Sequence, residues 1–90
     1  MNTRAVQLAM ETYRRRAADN ALLIRLLREG LQTHAEATSP ERVNWDRTGD
    51  IGHVRKGLIE LLMFISGRER LDIQQHLDQT RELPGTQTIT

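Results

Sequence analysis

Val6, Met10, Tyr13, Ala17, Asn20, Ile24, Leu27 and Leu31 follow one another at alternating steps of four and three residues. That spacing places them along one seam of an α-helix. Thr3 suits the N-cap and no proline intervenes before Pro40, so one helix from about residue 4 to 36 is expected. The alternative is a break at Ala17-Ala18-Asp19-Asn20, where the seam turns small and polar and Asp19 or Asn20 would cap a second helix beginning at Ala21. After residue 20, Leu22, Leu23 and Leu26 widen the apolar face, which predicts burial on more than one side.

Further along, Thr38-Ser39-Pro40-Glu41 has the capping-box spacing with proline near the first helical position, predicting a short helical turn through Val43 to Trp45. Thr48-Gly49-Asp50 reads as a tight turn ending in an N-cap. A helix over 51–66 follows, its seam made by Ile51, Val54, Leu58, Leu61 and Ile65. From Leu58 to Ile65 only Glu60 is polar, as expected of a helix that is central or sits in an oligomer interface. Gly67 suits the left-handed closing position, and Ser66-Gly67-Arg68-Glu69 offers a capping box for one more helix, over 69–82. Leu71, Ile73, Leu77 and Leu83 give that helix a thinner apolar face. The expected organisation is a single helical domain over 1–83 and a flexible tail over 84–90, beginning at Pro84-Gly85.

These elements predict an all-α fold: a small helical bundle of two or three main helices, the first antiparallel to the 51–66 helix, assembled as a homodimer. Size supports the dimer. A 90-residue chain buries only about 60 to 65% of its unfolded surface, and this one has a single Trp, a single Tyr and a single Phe to contribute. Leu23, Leu26, Leu62, Met63 and Phe64 are the candidate dimer interface. Gly30 and Gly57 fall inside helical patterns, where glycine costs about 1 kcal/mol relative to alanine. Close approach of a second helix would offset that cost, or either glycine would mark a helix end.

The formal charge of +1 is too small to indicate a polyanionic partner by itself. Its distribution is uneven: residues 1–37 carry six Arg and four acids, while residues 69–90 carry two Arg and four acids. Arg4 and Arg25 share one heptad position and Arg14 and Arg28 another, so these four form a stripe with Glu11 as its only acid. With Arg15 and Arg16 they are the candidate surface for nucleic-acid phosphates. The competing reading is a solvated or ion-paired face, and no aromatic is interleaved for base stacking. A non-catalytic protein that binds another macromolecule, a protein before a nucleic acid, is therefore expected.

The segment "NWDRTGDIGHVRKG", Asn44 to Gly57, is the least generic part of the chain. Asp50 reads as a helix cap, Gly49 as the turn before it, and Trp45 as an anchor packing its ring on the helices. As a phosphate cradle it lacks the glycine-rich loop with Lys and Ser/Thr, and Asp50 would repel an anion. From Asn44 to Ile65 the pattern Asn-Trp, Gly-Asp-Ile-Gly-His-Val and an amphipathic helix resembles short bacterial and phage helical proteins of no assigned activity. That resemblance implies a helical fold and a bacterial or phage origin.

No chemistry competes with this reading. The chain has no cysteine, and His34, His53 and His76 are too far apart in sequence for a recognised ligand spacing, so neither a metal nor another cofactor is expected. Gly-x-Ser-x-Gly is missing, and no acid pair is forced together, so no catalytic residue is assigned. No apolar run reaches the roughly 18 residues of a membrane span, and a soluble cytoplasmic protein is expected.

Overall fold

The computed structural model describes residues 3–38, 40–41 and 44–81. Three helices occur among them and no strand: α1 (Thr3–Glu36), α2 (Trp45–Ser66) and α3 (Arg70–Arg81). The fold is all-α. The tail expected over 84–90, with Leu83 before it, lies outside the described residues.

α1 runs without interruption for 34 residues. The helix passes straight through Ala17 to Asn20, so the continuous alternative holds and the break does not. It already includes Thr3, which therefore occupies a helical position and not the cap. Its far end is closed by Ala37 N–H donating to the Thr33 carbonyl (3.0 Å), Thr38 N–H donating to that of Ala35 (3.1 Å), and the Thr38 hydroxyl donating to that of His34 (2.7 Å). Pro40 and Glu41 lie in a turn, and part of the short helical turn expected through Val43 to Trp45 falls outside the described residues.

α2 starts six residues earlier than its seam suggested, and this corrects the reading of Asn44 to Gly57. Asn44 is the N-cap: its backbone is extended at φ −152° and ψ 177°, and its side-chain oxygen accepts from Arg47 N at 2.9 Å. Asp46 sits in the first turn, where a carboxylate complements the helix dipole. Asp50 and Gly49 are consequently inside the helix, neither a cap nor a turn. Trp45 does not anchor anything either, since 86% of its surface is exposed.

Gly67 ends α2 as expected, with φ at +73° and its N–H donating to the Met63 carbonyl at 3.0 Å. α3 then begins after two more residues. Its first helical bond runs from Ile73 N–H to the Glu69 carbonyl (3.2 Å), while Ser66 Oγ accepts from Arg68 N (3.2 Å) and donates back to Leu62 O. Ser66 thus finishes α2 and does not cap α3.

The described residues divide into two units, one holding α1 and the other holding α2 and α3. In the second unit α2 and α3 pack together as a helical hairpin. Its core is Ile59 and Ile73, each 4% exposed. In α1 no residue is buried at all.

Candidate interaction surfaces

Two apolar faces of α2 must be distinguished. At 100° per residue, Ile59 lies about 120° round the helix from the centre of the Ile51, Val54, Leu58, Leu61 and Ile65 seam. The hairpin is therefore closed by a face beside the heptad seam, and the seam itself stays open: Leu61 and Ile65 are 65% and 79% exposed. Sequence reasoning missed Ile59 because it breaks the three-four rhythm.

The candidate interface residues Leu62, Met63 and Phe64 are consecutive, so they point about 100° apart and cannot form one face. Leu62 lines an open groove of about 370 Å³ together with Arg68, Ile73, His76, Leu77 and Thr80. Met63 is half-buried, and Phe64 is 86% exposed. At the rim of the groove Arg68 pairs with Asp72 at 3.3 Å, and Arg70 reaches Glu60 across the hairpin at 3.9 Å. All four side chains are about half exposed, so these pairs contribute between zero and about 1 kcal/mol each. The groove was legible only in part: Ile73 and Leu77 share a face at a step of four, but nothing in the pattern indicated that Leu62 would join them.

On α1 the seam is exposed or half-buried throughout, with Tyr13 at 74% and Ile24 at 61% exposed. Leu23 and Leu26 are also exposed. Leu23 flanks the seam on the side away from Arg14 and Arg28, whereas Leu26 lies about 150° from the centre of the seam, on the far side of the helix.

All six candidate arginines, Arg4, Arg14, Arg15, Arg16, Arg25 and Arg28, are exposed, and none forms an ion pair with a described residue. They do not share one face. At 3.6 residues per turn Arg14, Arg25 and Arg28 fall within about 60° of one another, Arg4 and Arg15 about 60 to 80° from Arg25, and Arg16 on the opposite side. The heptad count concealed a drift of about 20° every seven residues. That drift brings Glu29 and Glu36, as well as Glu11, within about 40° of Arg25.

Of the histidines, His34 is half-buried, His53 is exposed, and His76 is exposed at the groove. No group of three His, Asp or Glu side chains suited to a metal ion occurs among the described residues. No helix of the described residues is long and apolar enough to cross a membrane. Compared with protein-family models, with curated proteins and with solved structures, the chain matches none.

Proposed function

We propose that this chain is a non-catalytic helical interaction protein of the cytoplasm, whose output is the binding of another macromolecule, and that it also binds a second copy of itself. The observation carrying this reading is the ratio of buried to open apolar side chains. Among the described residues eighteen large hydrophobics are exposed and two are buried. Monomeric soluble proteins rarely expose large apolar patches. A long helix with no buried residue also has nothing in its own unit to offset an ordering cost of about 1 to 2 kcal/mol per residue. A partner that covers these faces supplies the missing burial, at roughly 25 cal/mol per Å².

A protein partner is favoured over nucleic acid by the same geometry. On α1 five leucines stay exposed, Leu8, Leu22, Leu23, Leu26 and Leu27, and Glu11, Glu29 and Glu36 interrupt the face that Arg14, Arg25 and Arg28 share. The test has two arms. Crosslinking of the intact chain in its own cells, followed by mass spectrometry, should give protein partners that a Leu23→Glu, Leu26→Glu variant loses. Titration of labelled duplex DNA and RNA at 50 and 200 mM salt, about the range over which phosphate binders lose several decades of affinity, should show only weak binding. A steep salt dependence abolished by Arg14→Gln, Arg25→Gln and Arg28→Gln would instead support the nucleic-acid reading.

A further inference from the structure

We infer that α1 pairs with α1 of a second copy as a parallel, in-register, two-stranded coiled coil, with Asn20 facing Asn20 of the other copy in the middle of the seam. This rests on the reading of the chain as a self-associating interaction protein and names the surface that associates. With Met10, Ala17, Ile24 and Leu31 at the a positions, Val6, Tyr13, Asn20 and Leu27 take the d positions. The helix carries them without a break, and every one is exposed or half-buried. Their number is sufficient. Eight seam side chains from each copy, at roughly 60 to 100 Å² apiece, give on the order of 1,000 Å² or more, which reaches the lower bound of a specific interface.

Asn20 decides the direction. It has no side-chain hydrogen bond to a described residue, and once buried in a seam its amide must find a donor and an acceptor. In a parallel pair without stagger the two Asn20 amides meet and satisfy each other. In the antiparallel pair with full overlap Asn20 would face Ala17, which offers no side-chain partner. A single buried asparagine at an a position sets register and oligomer state in coiled coils, and Asn20 would act in the same way from a d position.

The flanking charges are compatible with the parallel pair. Positions e and g hold Arg14, Arg16 and Arg28 and no acid. Parallel pairing sets Arg14 beside Ala9 of the other copy, Arg16 beside Ala21 and Arg28 beside Leu23, so no two arginines meet and their methylene stems cover the seam.

Because this sequence has no cysteine, single-cysteine variants of the whole chain give a direct test. Val6→Cys and Leu31→Cys should each form a reducible self-crosslink on mild oxidation, and the two mixed together should form no heterologous crosslink. Arg15→Cys, on the outer face, should crosslink several-fold less. Asn20→Leu should keep the dimer but admit crosslinks between Val6→Cys and Leu31→Cys, because the register lock is gone. Circular dichroism establishes that each variant remains helical. A monomer mass by light scattering at high micromolar concentration overturns the inference. So do heterologous crosslinks between Val6→Cys and Leu31→Cys in the presence of Asn20, which mean an antiparallel pair. A dimer that persists without any self-crosslink at residues 6 or 31 overturns the α1 pairing while leaving self-association in place.

Discussion

Asn44 Oδ1 accepts the backbone N–H of Arg47 at 2.9 Å, and with that bond α2 begins at Trp45. One of the helix's orphan donors is satisfied by it. Replacing Asn44 by alanine should cost about 1 kcal/mol, within the roughly 0.5 to 2 kcal/mol seen for lost N-caps, and Asn44→Asp should cost little. Urea unfolding gives the magnitude. Amide exchange at Arg47 and Thr48 locates it, since fraying confined to Asp50 and beyond would place the cap elsewhere.

Gly49 and Gly67 should respond to alanine with opposite signs. Gly49 is helical and an added Cβ meets nothing within 4 Å, so Gly49→Ala removes unfolded-state freedom and should stabilise by about 0.4 to 1 kcal/mol. Gly67 is equally unobstructed, but its φ of +73° is a conformation that L-residues enter at a cost of about 1 to 2 kcal/mol. Gly67→Ala should therefore destabilise the hairpin, and Gly67→Asn should do so less. Chemical unfolding of the three variants side by side checks both signs. Destabilisation by Gly49→Ala would restore the turn that Thr48-Gly49-Asp50 suggests in sequence.

That contrast shows where pattern reading succeeds. α1 was legible because its three-four rhythm is unbroken over the 26 residues from Val6 to Leu31 and no proline interrupts it. The end of α2 was legible because Gly67 alone fits a positive φ there. The start of α2 was not, because Asn44 and Asp50 both suit an N-cap and a glycine before Asp50 favours the wrong one. The surfaces were least legible. Heptad letters assign Ile59 to an outer position of α2, yet it is there that α3 docks, and the same letters hold the arginines in a stripe that the true helical pitch spreads apart.

Ile59 and Leu61 should accordingly part company under mutation. Ile59 is 4% exposed and Leu61 65% exposed, although Leu61 belongs to the regular seam and Ile59 does not. Ile59→Ala deletes buried methyl groups and should cost about 2 kcal/mol or more, enough to release α3 from α2. Leu61→Ala should change the unfolding of the dilute protein by no more than about 0.5 kcal/mol. Helix content by circular dichroism and exchange protection in α3 distinguish the two. Equal losses would mean that the seam of α2 is already covered in the dilute chain.

Gly30 bears on what covers α1. It lies inside the helix, not at an end, and among the described residues an added Cβ would meet nothing within 4 Å beyond the helix's own adjacent backbone. No neighbour among the described residues of its own unit offsets its cost. In the parallel pair inferred above, Gly30 takes a g position beside Ala35 of the other copy, a flank with room for a methyl group. Gly30→Ala should then raise the helicity of α1 by the equivalent of about 0.4 to 1 kcal/mol and leave the dimer's dissociation constant unchanged or lower. Sedimentation equilibrium on wild type and variant measures it. A dimer weakened by that single methyl would instead mean that a second helix crosses α1 closely at Gly30, a steep crossing incompatible with two helices lying side by side along the whole seam.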